Sequence, residues 1–278
     1  LIYLLNYNQL FNICLKRLDN NKKGADIMAT NYKWINYTDS SGRDFEILET
    51  NASNIKLVNI FREEGACKTV KESGYYGMNA SFFNSDEHGD RYPAIHNIAY
   101  QNGSNMGCGI PMPNQGNILD GSVNITGSSL VYWTGSVLNC VSNVQNSSSS
   151  YVPKTANSWA QGGLGLYLCD VNWQSKYEAE NNASSYPVGE GAAITGILIN
   201  KSTKKVYLFS SRIKTTAVWD LRNAMMSYAG LTQGGSAGSW AAIMTDGGQS
   251  TQLYSGEGSN HVASCRDVPQ IIALKKTT

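Results

Sequence analysis

An apolar segment runs directly into a glycine-rich turn in the stretch Ser239-Trp240-Ala241-Ala242-Ile243-Met244-Thr245-Asp246-Gly247-Gly248-Gln249-Ser250-Thr251. Residues 239–245 are mostly apolar, which predicts a buried β-strand. Asp246 follows directly at the end of this strand. Asp-Gly is also a common hairpin turn, so the aspartate fits a simple turn as well as a functional site.

The turn itself offers backbone freedom and polar groups. Gly247 and Gly248 can adopt positive φ angles and let a ligand approach the main chain closely. Ser250 and Thr251 add two hydroxyl groups, and successive N–H groups in such a turn can form an anion-binding nest. A carboxylate beside such a nest suits a substrate that carries both a sugar and a phosphate.

Apolar patterns on either side of this stretch predict strands and one helix. Residues 193–199 and 204–210 are rich in Ile, Leu, Val and Tyr and are separated by a short polar turn, which predicts a hairpin. Residues 217–229 place apolar side chains near one helical face and end at Gly230. The strand at 204–210, this helix and the strand at 239–245 predict a βαβ crossover. Further strands are predicted at 43–48, 55–61, 75–83, 129–141 and 270–274.

The chain is expected to form one α+β domain, in which a mixed β-sheet packs with a few helices and long loops rich in Gly and Asn. Its 278 residues, 41% of them hydrophobic, are enough for one sizeable core. The domain is expected to span residues 28–278. No run of about 18 apolar residues occurs, so we expect no transmembrane span. A formal net charge of +1 without a basic stripe argues against nucleic-acid binding.

Residues 1–27 differ from the rest of the chain. The peptide Lys22-Lys23-Gly24-Ala25 can be encoded by a purine-rich sequence resembling a bacterial ribosome-binding site, and Met28 follows at a suitable distance. We therefore expect residues 1–27 to be a non-native upstream or disordered segment; the alternative is an ordinary N-terminal helix. This segment is a poor secretory signal, since it has neither a basic start nor a small-residue cleavage site. We expect a bacterial or phage protein that is cytoplasmic, released by lysis or carried on a particle.

The histidines and cysteines do not indicate a metal site. His88, His96 and His261 share no metal-ligand spacing, and none of the six cysteines forms a CxxC pair. We expect reduced structural thiols rather than a disulfide framework. No cofactor is expected. A Ca²⁺ ion held by Asp246 and loop carbonyls would be compatible chemistry, but no pattern indicates one.

Several segments, in order, resemble the phosphodiester glycosidase domain family over roughly residues 40–275. Two motifs are the most specific. Met244–Thr251 resembles the family's Asp-Gly-Gly-x-Ser-Thr signature, and Cys265–Pro269 resembles its Arg-x-Val-Pro element. The other segments that resemble the family are Met78–Phe83, Ala160–Leu164, Ile194–Ile197, Val206–Arg212 and the helix at 217–229.

The sequence departs from the family pattern at two places. Family members usually have an Arg-Thr pair before an Ile-Gly strand, whereas Glu190-Gly191-Ala192-Ala193-Ile194-Thr195 contains no arginine. Gln249 replaces a common third glycine, which narrows the conformational freedom of the turn. The missing arginine indicates that either another cation replaces it or the activity has changed.

The resemblance implies a hydrolase that cleaves the glycosidic C–O bond of a sugar-1-phosphodiester, of the N-acetylhexosamine type, and releases the sugar and a phosphomonoester. Such a site needs a carboxylate facing the anomeric carbon and a clamp for the phosphate. We expect Asp246 to supply the carboxylate, and Arg212 and Arg266 to bind phosphate oxygens bidentately. The predicted substrate-binding residues are Asn79, Phe83, Gly163, Gly247, Gly248, Ser250, Thr251 and His261.

Each of these assignments has an alternative. Asp246 can cap its own turn, the arginines can form structural ion pairs, and Asn79 can hold a loop instead of binding sugar hydroxyls. A second carboxylate could come from Glu190 or Glu257. Two other functions compete with the hydrolase: a non-catalytic glycan-binding or virion-associated module that keeps the fold, and a phosphotransferase or phosphatase acting on the P–O bond. The sugar, the leaving group and the oligomeric state do not follow from the sequence.

Overall fold

The computed structural model describes residues 31–84, 94–95, 97–106, 128–144, 149–180, 188–189, 191–212, 216–256, 261–262, 264 and 266–275. The expectation about residues 1–27 therefore falls outside the described residues, as do Glu190 and Glu257. His261 is described only in its main chain. Within the described residues, no helix is long and apolar enough to cross a membrane.

Ten strands form the larger of two main sheets in the described part of the chain. Their bounds are β1 Tyr32–Thr38, β2 Asp44–Asn51, β7 Ala99–Gln101, β8 Ser104–Asn105, β9 Ser128–Trp133, β10 Leu138–Val144, β11 Trp159–Gly165, β12 Thr195–Asn200, β13 Lys205–Ser211 and β14 Trp240–Thr245. The strand order is β1-β2-β13-β12-β14-β11-β7-β8, and β9 joins β11 to β10. The hairpin predicted at 193–199 and 204–210 is confirmed as β12 and β13, which pair Thr195 with Ser210.

A smaller sheet packs against the larger one. Its order is β16-β15-β4-β17-β3, and β5 pairs separately with β6. The bounds are β3 Ile55–Asn59, β4 Gly77–Asn79, β5 Phe83–Asn84, β6 Ala94–Ile95, β15 Leu253–Tyr254, β16 His261–Val262 and β17 Gln270–Leu274. Three helices are described: α1 Ile60–Glu64, α2 Trp173–Glu180 and α3 Val218–Tyr228.

The core has two layers because side chains alternate between the two faces of a strand. On one face of the large sheet, residues such as Phe209 and Met244 pack with Leu221 of helix α3. On the other face, residues such as Leu208 and Ile243 pack with the small sheet. The central strands are therefore buried on both faces, which explains their nearly continuous apolar sequence.

The predicted crossover is confirmed, and it shapes the sheet. Strand β12 pairs antiparallel with both β13 and β14, so β13 and β14 run parallel to each other on either side of it. Because β12 separates them, the described pairings are antiparallel throughout, although a mixed sheet was expected. The α+β class is confirmed. The strand predicted at 75–83 is divided into β4 and β5, and between them the carbonyl of Ala80 accepts from the N–H of Asp246.

Candidate active site

The ends of two parallel strands place candidate groups at one edge of the large sheet. Asp246 follows β14 and Arg212 follows β13. Thr195 of β12 pairs with Ser210 on one side and with Thr245 on the other. The main chains at the two strand ends are therefore two strand spacings apart, about 10 Å.

A row of buried polar side chains crosses the large sheet beside this edge. Glu46 pairs with Ser210, Ser210 with Thr195, and Thr195 with Thr245 in register. All four are almost completely buried. The hydroxyl oxygens of Thr195 and Thr245 lie 2.8 Å apart. Sequence analysis missed this row, although polar residues at inward positions of apolar strands are a signal that it could have used.

The main chain of Asp246 is fixed by three hydrogen bonds. Its N–H donates to the carbonyl of Ala80 at 3.0 Å. Its carbonyl accepts from the amide of Asn79 at 2.7 Å and from the hydroxyl of Thr195 at 2.6 Å. The amide oxygen of Asn79 in turn accepts from the N–H of Gln252 at 2.9 Å. Both polar atoms of the Asn79 amide are therefore engaged in holding the turn, which favours the loop-holding alternative over sugar binding.

The turn after Asp246 is a short 3₁₀ segment, Gly248–Ser250. Positive φ was expected at both glycines: Gly248 has φ +61°, whereas Gly247 is extended with φ −124°. The N–H of Gly248 donates to the carbonyl of Ala193 at 2.6 Å, and those of Ser250 and Thr251 donate to carbonyls within the turn at 3.1 and 3.3 Å. These three N–H groups are used internally, so the anion nest expected from the glycines is not formed by them.

Two hydroxyl groups of the turn are buried without a partner. Ser250 is 0% exposed and Thr251 is 2% exposed. Neither hydroxyl oxygen has a hydrogen-bond partner among the described residues. Leaving a buried hydroxyl unpaired costs roughly 1–3 kcal/mol, so a water or ligand that reached these two groups would be stabilised by them.

Arg266 and Phe83 lie together and are tied to the turn. The guanidinium carbon of Arg266 is 4.5 Å from the centre of the Phe83 ring. The side-chain amide of Gln252 donates to the carbonyl of Arg266 at 2.8 Å and to that of Ser250 at 3.4 Å. Arg266 forms no ion pair with any described carboxylate. Gln252 therefore links Arg266 to the turn, and no motif in the sequence had indicated this role.

Arg212 is anchored by a buried carboxylate. Its Nε pairs with Glu46, whose other oxygen accepts from the indole N–H of Trp34 at 2.7 Å. Glu46 is 1% exposed, whereas half of the Arg212 side chain is exposed. Burial raises the pKa of Glu46, against the opposing effect of Arg212. Among the described residues, this pairing engages the Nε nitrogen of the guanidinium.

Gly163 and His261 lie in strands outside the Asp246 turn. Gly163 lies in β11 beside β14, where an added Cβ would lie 2.2 Å from the carbonyl oxygen of Met244. Close packing against β14 therefore explains why position 163 is glycine. Contact of Gly163 with a substrate remains a prediction. His261 lies in β16 opposite Tyr254.

In the described part of the chain, no group of three or more His, Cys, Asp and Glu side chains could hold a metal ion.

The fold of this chain is similar to that of a known protein structure. No protein-family model and no curated protein matches this chain. The structure is similar to the catalytic domain of zebrafish N-acetylglucosamine-1-phosphodiester alpha-N-acetylglucosaminidase, auto-inhibited by its pro-peptide, with a TM-score of 0.55 and 12% identity over 92% of this chain and 86% of that chain. It is more weakly similar to a hypothetical protein from Synechocystis, with a TM-score of 0.47 and 12% identity over 87% of this chain and 61% of that chain. At such low identity, the first likeness shows a shared fold alone.

Proposed function

We propose that this chain is a hydrolase of sugar-1-phosphodiesters, which cleaves the C–O bond at the anomeric carbon. The observation that carries the proposal is the combination, in one turn, of the clamped and buried Asp246 with the buried, unpartnered hydroxyls of Ser250 and Thr251. The zebrafish domain of similar fold bears the name of an N-acetylglucosamine-1-phosphodiester glycosidase. A substrate of the N-acetylhexosamine type is therefore the first to test.

Asp246 supplies the carboxylate in this mechanism. Its main chain is held by Ala80, Asn79 and Thr195, so little conformational entropy remains to be lost when the substrate binds. Positive charge develops on the sugar as the glycosidic bond lengthens, and a carboxylate facing the anomeric carbon stabilises that charge. The sugar leaves with a hydroxyl derived from water, and the phosphate leaves as a monoester.

The phosphate binds on the other side of the breaking bond. The Ser250 and Thr251 hydroxyls donate to its oxygens, which satisfies their missing hydrogen bonds. Arg266 and Arg212 neutralise the charge that the leaving phosphate gains. A phosphomonoester is a better leaving group than an alcohol, so this reaction needs less proton donation than ordinary glycoside hydrolysis.

The decisive experiment is hydrolysis of the methyl phosphodiester of N-acetylglucosamine 1-phosphate in ¹⁸O-water. Cleavage of the C–O bond places the label in the sugar, whereas cleavage of the P–O bond places it in the phosphate. Asp246→Asn should lower sugar release about 100-fold or more, with an unchanged circular dichroism spectrum. Label in the phosphate, or full activity of the folded Asp246→Asn variant, would overturn the proposal.

The second candidate function is a glycan-binding module that keeps the fold without turnover. One observation favours it: Ala193, in the segment where the family pattern leads us to expect arginine, contacts the turn through its carbonyl, which accepts from Gly248 N–H at 2.6 Å. Saturable binding of the phosphodiester without sugar release, weakened by Arg266→Met, would identify this function instead.

A further inference from the structure

A cavity lies away from the Asp246 turn. Its volume is about 320 Å³. It opens beside Lys275, directly after β17, whereas Gln270, at the start of β17, lies beside Ala80 near the Asp246 turn. Five strand residues separate the two places by about 17 Å. The lining residues are Lys56, Tyr75, Gln101, Asn102, Asn157 and Lys275.

Internal hydrogen bonds hold the floor of this cavity in place. The amide oxygen of Gln101 accepts from the N–H of Leu57 at 2.8 Å. The amide nitrogen of Gln101 donates to Asn102 Oδ1 at 3.0 Å and to the carbonyl of Ser158 at 3.3 Å. The main-chain N–H of Asn102 also donates to Ser158, at 2.8 Å. The cavity is therefore preformed. The side chain of Asn102, which accepts from Gln101, also lines the cavity.

Positive charge exceeds negative charge around the cavity. The ammonium of Lys56 lies 3.5 Å from a carboxylate oxygen of Glu63, and both side chains are 39% exposed. The other oxygen of Glu63 accepts from the Tyr75 hydroxyl at 2.9 Å. Lys275 has no ion pair with any described carboxylate. Among the carboxylates that the structure describes, Glu63 thus offsets one lysine, and none pairs with the other.

We propose that this cavity binds a monosaccharide-sized ligand that carries an oxyanion, either phosphate or carboxylate. The volume is near the lower end for small-molecule sites, roughly 300–1,000 Å³. Lys56 and Lys275 pair with the anion, and Asn102 and Asn157 supply the amides that hydroxyl-rich ligands require. This site is separate from the Asp246 turn, so it does not depend on the function proposed for that turn.

Isothermal titration calorimetry with the full chain tests the proposal. The probes are inorganic phosphate, glucose 6-phosphate and glucuronate, which separate the two kinds of oxyanion and the effect of the sugar. At least one sugar-bearing probe should bind saturably and more tightly than phosphate alone. Lys275→Met and Lys56→Met should each weaken binding at least fivefold, because each removes one charge while keeping most of the side-chain volume.

Two controls locate the binding. Lys33→Met removes an exposed lysine from β1 and should change the affinity less than twofold. Asp246→Ala should leave binding at this cavity intact. The proposal is overturned by absence of saturable binding, by equal weakening in Lys33→Met, or by loss of binding in Asp246→Ala with both cavity variants unaffected. Only the last result would assign the anion to the Asp246 turn.

Discussion

The side-chain amide of Asn79 donates a 2.7 Å hydrogen bond to the main-chain carbonyl of Asp246. Asn79 ends a strand of the small sheet, and Asp246 follows a strand of the large sheet. The position of the candidate carboxylate is therefore set by the packing of one sheet on the other. Both residues are at most 5% exposed, so water does not replace this bond when it is lost.

Replacing Asn79 by alanine should destabilise the turn. The change leaves the carbonyl of Asp246 without one donor and the N–H of Gln252 without its acceptor, at a cost of about 1–3 kcal/mol. Urea denaturation measures the free energy of unfolding, and the phosphodiester assay measures the accompanying fall in sugar release. Asn223→Ala, on helix α3, is the control and should stay within about 0.5 kcal/mol of wild type. Equal stability of the two variants would contradict the role assigned to Asn79.

Alanine at two glycines should have very different effects. At Gly248, φ is +61° and no atom lies within 4 Å of an added Cβ, so the cost is conformational, about 1–2 kcal/mol. At Gly163, an added Cβ would lie 2.2 Å from a main-chain oxygen of β14, so a cost of about 3 kcal/mol or more is expected. Thermal unfolding of both variants measures how much stability each has lost. Gly248→Asn should recover part of the loss, because asparagine tolerates positive φ. A milder effect at Gly163 than at Gly248 would be inconsistent with the strand packing.

The pH dependence of stability should change when Glu46 is replaced by glutamine. Burial raises the pKa of Glu46 above its ordinary value of 4.5. The native state then holds the proton more tightly than the unfolded state. This contribution to stability is complete below the unfolded-state pKa and is lost as the pH rises through the folded-state pKa.

The stability of wild type relative to Glu46→Gln should therefore fall as the pH rises from below the ordinary carboxyl pKa of 4.5 through the raised pKa of the folded state. Glutamine keeps an oxygen that can accept from Trp34 but cannot titrate, so it isolates the effect of the proton. Urea denaturation at a series of pH values measures the difference. A difference that rises with pH would mean that the pairing with Arg212 outweighs the burial of Glu46.

Arg222 should not tolerate replacement by lysine. Its guanidinium donates to the carbonyl of Leu166 at 2.9 Å and to the side chain of Gln233 at 2.9 Å, and it lies 4.6 Å from the centre of the Trp173 ring. Lysine lacks the planar fork that makes these contacts together, so Arg222→Lys should lose at least about 2 kcal/mol. The exposed Arg62→Lys is the matched control, with an expected change within about 0.5 kcal/mol. Similar unfolding midpoints for both variants would refute the prediction.

Local sequence patterns predicted much of the central sheet. Residues 193–199, 204–210 and 239–245 form strands β12, β13 and β14 within one or two residues, and 217–229 contains helix α3. These elements are long and apolar, so their own sequence specifies them. The local pattern did not predict the split of residues 75–83, where Ala80 contacts Asp246, a residue far along the chain.

The composition of the candidate site was determined by the sequence: a carboxylate at a strand end, two glycines and two hydroxyl residues at 246–251. The tertiary structure decided which of these groups form internal hydrogen bonds or ion pairs. Internal carbonyls take up N–H groups expected to bind an anion, Gln252 ties Arg266 to the turn, and Glu46 anchors Arg212. These contacts join residues that are distant in sequence, and their geometry is fixed by strand register and by the packing of the two sheets. A local pattern can specify which side chains are present, but only the assembled sheets determine which of them remain free to meet a substrate.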